Sequence, residues 1–148
     1  MIYLASDHAG FELKGRIKKM LDEMGVECKD MGPRKLDPSD DYPDFVIPAA
    51  RKVSENPESK GIVFGGSGQG EAIAANKVKG IRAAVYYGGS LDIVKLSRLH
   101  NDSNVLSLGA RFLDADEAEE AVKLWLATRF EGGRHERRLE KLRDAEYG

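Results

Sequence analysis

The chain predicts an α/β fold: a five-stranded parallel sheet covered by helices on both faces. Two observations carry this. Short apolar runs recur at Ile2–Ala5, Val26–Cys28, Gly61–Phe64, Ile81–Tyr86 and Asn104–Leu108. Each is followed by a longer segment of helical period, the alternation that a parallel sheet with helical crossovers requires. The helix after the first run lines up Leu13, Ile17, Met20, Leu21 and Met24, with lysines and acids opposite and Gly25 as its stop signal. After the second run, "GPRKLDPSDDYPD" (32–44) reads as a loop by its prolines and acids, long enough to suggest a functional role. The third run leads into "GGSGQGE" (65–71) and an Ala-rich helical stretch. After the fifth, Asp114 and Glu117 form a capping-box signature for a helix carrying Ala121, Val122, Leu124 and Trp125. Gly132 and Gly133 break the pattern. Residues 1–131 are expected to form one domain, and 132–148 a basic helical arm of that domain reaching outward. The expected strand order is 2-1-3-4-5.

Composition excludes several classes. A length of 148 residues suits a single domain. A net charge of -2 offers no general attraction to nucleic acid or to an acidic membrane. No apolar run approaches the roughly 20 residues of a membrane span, and Met1-Ile2-Tyr3-Leu4 has no basic leader, so a cytoplasmic location is expected. The single cysteine, Cys28, permits no internal disulfide and reads as an inert core thiol.

In an open α/β sheet, ligands bind outside the carboxyl ends of the strands where strand order reverses. With the expected order, that point lies between strands one and three, which end in "SDHAG" (6–10) and "GGSGQGE". The glycine loop is not a Walker A loop, because Glu71-Ala72 stands where Lys-Ser/Thr would bind phosphate. It is not a dinucleotide fingerprint either, as the glycine spacing is wrong. Gly66, Ser67, Gly68, Gln69 and Gly70 instead offer closely approachable N–H groups at a helix start, which favour negative charge. Glu71 would repel a phosphate dianion. A carbonyl that becomes an oxyanion while Glu71 removes a proton from the adjacent carbon suits both features. A glutamate that merely caps a tight turn is the structural alternative.

The three histidines are His8 after strand one, His100 in "HND" (100–102) before strand five, and His135 in the basic arm. His8 and His100 flank strands, where loops are expected to reach the cleft. No pair has the i, i+3 or i+4 spacing with a carboxylate that marks a local metal motif, so no metal site is expected. Arg111 follows strand five, while Arg134, Arg137 and Arg138 cluster after the glycine break. They form either a solvated helix face or a phosphate grip held away from Glu71.

"ASDHAGFELK", "DYPDF", "GSGQGEAIAANKVKGIRAA", "SRLHNDSNVLSLGAR" and "FEGGRHERR" together resemble the ribose-5-phosphate isomerase B family, which includes galactose-6-phosphate isomerase subunits. The resemblance runs from Ile2 to about Leu142. It implies a Rossmann-like three-layer sandwich and a cofactor-free aldose–ketose isomerase working through a cis-enediolate. It also implies homodimers, often paired into tetramers, with sites at the subunit interface. Many members carry a catalytic cysteine directly after the third strand, where this chain has Gly65; a second variety uses a glutamate at the helix start, where Glu71 stands. Carried over by position, Glu71 is the base, His100 opens the sugar ring and Ser67 assists proton transfer to oxygen. Asp7, His8 and Asn101 contact substrate, the 66–70 loop lines the oxyanion hole, and Arg111, Arg134 and Arg138 hold phosphate. His135, Arg137 and Tyr42 are weaker candidates. The expected reaction is ribose 5-phosphate to ribulose 5-phosphate. The alternatives are a six-carbon phosphosugar, namely allose 6-phosphate or galactose 6-phosphate, and a phosphosugar-binding regulator without catalysis. A flavodoxin-like nucleotide binder is disfavoured by the acidic end of the loop.

Overall fold

The computed structural model describes all residues from Met1 to Gly148. Five strands alternate with helices: β1 Ile2–Ser6, α1 Phe11–Glu23, β2 Cys28–Asp30, α2 Pro43–Glu55, β3 Lys60–Gly65 and α3 Gln69–Asn76. They continue as β4 Ala83–Tyr86, α4 Asp92–Leu99, β5 Val105–Gly109, α5 Ala115–Ala127 and α6 Arg134–Tyr147. All four strand pairings are parallel. No helix is long and apolar enough to cross a membrane.

The sheet order is β2-β1-β3-β5-β4, which corrects the expected 2-1-3-4-5 at its last two places. Burial gives the reason. All five residues of β5 are buried, whereas Ala83, Ala84 and Val85 of β4 are half-exposed, so the more apolar strand takes the inner position and β4 becomes the edge. The reversal point between β1 and β3 is untouched, and their carboxyl ends sit side by side, with Ser6 opposite Phe64, while on the other side of β3 Gly65 lies opposite Gly109 of β5.

Neighbouring residues of a strand point to opposite faces. Leu4, Ile62, Phe64, Leu106 and Leu108 pack with Ile17 and Leu21 of α1, Val94 of α4 and Trp125 of α5. Ala5, Val63 and Val105 face the other way, onto Val46, Ala50 and Val53 of α2 and Ala75 of α3. The sandwich therefore has two cores. Trp125, fully buried, satisfies its indole N–H by donating to the Ser103 hydroxyl at 2.8 Å.

Local chemistry sets the boundaries. Gly25, at φ 72°, ends α1 in a Schellman turn, with its N–H bonded to Asp22 O and that of Val26 to Leu21 O. Val26 thus belongs to the helix end, and β2 begins two residues later than its apolar run suggests. Cys28 is half-buried at this rim rather than in the core; its thiol lies 3.5 Å from Asp22, and burial first and that carboxylate second push its pKa up. Lys14, expected on the exposed side of α1, is buried and ties the helix to the next loop through Asp30 at 2.9 Å and the Pro33 carbonyl at 2.7 Å. The capping box at Asp114 and Glu117 forms as read.

Helix α6 stands apart. Among its residues only His135 is buried, and Leu142 and Tyr147 remain exposed. The helix is moored at its far end, where the Glu146 carboxylate accepts from Gly80 N–H at 3.0 Å and Lys79 lies over the Tyr147 ring.

Candidate active site

At the carboxyl end of the sheet, β3 runs into the 65–71 loop and α3. Gly68 adopts φ 80°, a left-handed turn that a side chain strains, and this turn starts the helix. Its carbonyl accepts from the buried Ser107 hydroxyl at 2.6 Å, which fastens the loop to β5. The amide N–H groups of Gly66, Ser67, Gly68 and Gly70 donate to no acceptor in the chain, whereas Gln69 N–H reaches the Ser67 hydroxyl at 3.3 Å. The loop is thus a rigid set of free donors, the arrangement that stabilises developing negative charge.

Glu71 is 3% exposed, although it begins a surface helix. Its carboxylate lies against Gly65, in the space where a side chain on that residue would be. A cysteine at position 65 and this glutamate pose are therefore mutually exclusive. Burial raises the Glu71 pKa above its ordinary 4.5; its own backbone N–H pulls the other way, and Asp7 adds to the rise. A carboxylate of raised pKa is a stronger base.

Strand β1 supplies the opposite wall. Asp7 accepts from the N–H groups of Ala9 at 2.9 Å and Gly10 at 3.2 Å, which holds the turn into α1. His8 is fixed twice by Asp40, through its N–H at 3.0 Å and Nδ1 at 2.8 Å, and this hydrogen bond is the largest cause of its raised pKa. With Nδ1 engaged, Nε2 is the atom His8 offers a ligand. Arg111 bonds its N–H to Gly66 O at 3.0 Å and runs its guanidinium over Gly66, while the Tyr42 ring covers Gly70.

The amino end of the sheet holds the rest. His100 caps the C-terminus of α4 ahead of β5, so one strand length, on the order of 15 Å, separates it from the glycine loop. This corrects the expectation that His8 and His100 reach one cleft: in a parallel sheet, a loop before a strand emerges at the other end from a loop after one. The His100 ring stacks on His135 at 4.1 Å between centroids, and its Nε2 is 3.8 Å from Glu131. His135 is 4% exposed with no partner for Nε2; burial first, then His100 and Arg134, lower its pKa. Arg138 touches its Nδ1 at 3.4 Å. Arg134 and Arg138 are exposed on the same helix, and Asn101 is exposed beside His100. Buried Arg98 braces the segment from below, bonding Thr128 O, Asp102 and Ser103 O at 3.0, 2.8 and 2.7 Å.

Known proteins share this fold. The ribose/galactose isomerase family pattern matches residues 2–142. The ribose-5-phosphate isomerase B of Mycobacterium tuberculosis is 44% identical over 147 residues, covering 99% of this chain and 88% of that protein. The chain belongs to the ribose/galactose isomerase family. A structure of ribose-5-phosphate isomerase B from Mycoplasma genitalium with bound ribulose 5-phosphate superposes with a TM-score of 0.95 at 41% identity, covering 99% of this chain and 95% of that one. The enzyme of the same name from Clostridium thermocellum gives 0.92 at 42% identity, covering 99% and 97%. Like its relatives, this member of the family is an isomerase with a Rossmann-like α/β fold.

In this isomerase the residues marked in sequence fall into two groups rather than one. Asp7, His8, the 65–71 loop, Glu71, Arg111 and Tyr42 gather at the carboxyl end; His100, Asn101, Arg134, His135 and Arg138 gather at the amino end. Arg137, exposed on α6, makes no ion pair. Sequence reasoning missed Asp40, whose advance signal was the length of its loop, and Glu131, which went unremarked inside the quoted stretch "FEGGRHERR". A cavity of about 660 Å³ lies between α6 and the β4 edge. It includes Asn101 but no residue of the glycine loop.

Proposed function

We propose that the chain interconverts ribose 5-phosphate and ribulose 5-phosphate through a cis-enediolate, with Glu71 as the base. The observation that carries this is the buried Glu71 carboxylate beside four unengaged loop N–H groups. Glu71 removes the C2 proton of the open-chain aldose and returns it to C1, and the loop donors hold the oxygen that turns negative in between. The Ser67 hydroxyl, at the mouth of that loop, relays the proton between the two oxygens. This chemistry asks for no cofactor. Asp7 positions the β1 turn and His8, and His8 presents Nε2 to the sugar.

The two-ended layout supports a homodimer with interfacial sites. A two-fold axis that sets the amino end of one chain's sheet against the carboxyl end of the other makes two complete sites at once. His100 and Asn101 then act in ring opening on a sugar held by the other chain's loop. Arg134 and Arg138 join that chain's Arg111 around the phosphate, at a distance from Glu71. In this reading residues 1–131 form the sheet domain and 132–148 the arm that delivers cations to the neighbouring site. The Mycoplasma genitalium relative with ribulose 5-phosphate bound supports the pentose as substrate.

The test is to incubate ribose 5-phosphate, allose 6-phosphate and galactose 6-phosphate with the protein in deuterated water and follow them by proton NMR. Aldose–ketose conversion with deuterium entering at C2 of the pentose alone is the expected result. Conversion of a hexose in preference reassigns the substrate. Binding without exchange removes the isomerase mechanism.

A further inference from the structure

We infer that His100, Glu131 and His135 form a site for a divalent transition-metal ion of the zinc type, and that occupancy withdraws the His100 imidazole from substrate. The three residues are distant in sequence, yet a ligand atom from each lies within 4.8 Å of the other two. Zinc bonds of about 2.0–2.2 Å in a tetrahedron place ligand atoms roughly 3.4 Å apart, so only a small closure is required. His100 Nε2 and Glu131 Oε2 are already 3.8 Å apart. The second, independent observation is His135 Nε2, a buried polar atom with no partner on a side chain that is almost wholly enclosed. Two imidazoles and one carboxylate leave the fourth position of the ion open to water.

The backbone already holds the ligands together. Glu131 N–H donates to Leu99 O at 3.0 Å, one residue before His100, and His135 lies in the first turn of α6, just beyond the Gly132–Gly133 turn. Side-chain rotation therefore suffices to close the set. His100 and Glu131 are partly exposed, at 36% and 54%, so an ion enters from solvent without unfolding. Arg134 and Arg138 face the same place. Arg138 must turn away from His135 Nδ1, as its 3.4 Å contact and exposed position allow, and the two positive charges hold affinity below that of a closed structural zinc site.

Metal binding stands on this geometry alone; the effect on activity rests on the role proposed for His100. The experiment uses the full-length Cys28→Ser protein, which removes the one thiol. Co²⁺ is titrated by visible absorption and Zn²⁺ by calorimetry, and isomerisation is assayed with and without Zn²⁺. Loss of supporting groups typically lowers metal affinity by about 10–100-fold, so loss of the buried ligand in His135→Ala is expected to lower it at least about tenfold. In Glu131→Gln, zinc inhibition read against that variant's own metal-free rate is expected to be largely lost, and a chelator restores activity in the parent. Absence of saturable binding overturns the proposal, as does unchanged affinity in both variants. Binding that is lost in the variants but never inhibits keeps the site and removes His100 from catalysis.

Discussion

The two ends of the sheet solve different problems with different materials. At the carboxyl end, the glycine loop is built from consecutive residues, pinned by Ser107 through Gly68 and closed around a buried Glu71. At the amino end, side chains from α4, the 128–133 segment and α6 meet at a half-exposed surface, held by backbone bonds and by Arg98. The first region is rigid before a ligand arrives, as preorganised charge stabilisation demands. The second is a set of cations and imidazoles awaiting something to hold. The difference suggests that chemistry belongs to the loop end and substrate capture and ring opening to the other.

Substitutions at the two ends should therefore fail in different ways. The largest effect is expected at Glu71. A general base typically contributes about 10²–10⁴-fold, so Glu71→Gln should lower kcat by that order while KM changes little. Steady-state kinetics decides it, and near-normal turnover would remove Glu71 as base. The acid limb of the kcat–pH profile should lie above the ordinary glutamate value of 4.5, because burial favours the protonated form.

A mixing experiment tests whether the two ends meet across chains. Glu71→Gln and His100→Ala proteins are each expected to be nearly inactive. Exchanged at random, half of the dimers are mixed, and each mixed dimer has one intact site of two, so about a quarter of wild-type activity should return. No recovery in verified heterodimers would mean that each chain completes its own site. His100→Ala alone sharpens the point: it should slow turnover of cyclic substrate more than that of an open-chain analogue. Equal losses would place His100 outside ring opening.

How far each end was legible follows from the same contrast. Glu71 and its loop stand out in the sequence because a carboxylate and free amide donors are neighbours in the chain, and residue type alone exposes the conflict with phosphate binding. The Schellman turn at Gly25 shifted β2 by hydrogen bonding that no hydropathy pattern carries. The exchange of β4 and β5 turned on a difference in burial between two short apolar strands. His100 was singled out as a residue, but its place before strand five of a parallel sheet already sets it at the amino end, a consequence that the expectation of one shared cleft overlooked. Asp40 and Glu131 become visible only once folding sets them against His8 and His100. Residues that act through local geometry are legible; those that act through tertiary contact are not.

A smaller effect is expected at the arginines. A charge-assisted hydrogen bond contributes roughly 1.5–3 kcal/mol, so Arg138→Ala should weaken phosphosugar affinity by about 10–100-fold with kcat at saturation largely kept. The amino end would then show itself as a binding region, in contrast to Glu71. Calorimetric titration with ribulose 5-phosphate measures it, and an unchanged Kd would return Arg138 to solvent.

The smallest effect is one of stability, and its sign separates a functional carboxylate from a structural one. Folding raises the Glu71 pKa from 4.5, so the protein favours the acid over the carboxylate. Below 4.5 the group is neutral whether the chain is folded or not, and burial carries no charge penalty. As pH rises through the folded pKa, the buried group ionises and that relative stability is lost. Glu71→Gln stays neutral throughout, so its Tm should exceed that of the parent by a few degrees at neutral pH, with the gap closing toward pH 4.5. A glutamate that only caps α3 would behave in the opposite way, because its charge would favour the folded helix and its loss would lower Tm. Parallel thermal scans of the two proteins across this pH range distinguish the cases: a stabilised, inactive variant is the signature of a charge kept buried for chemistry, at the expense of the fold.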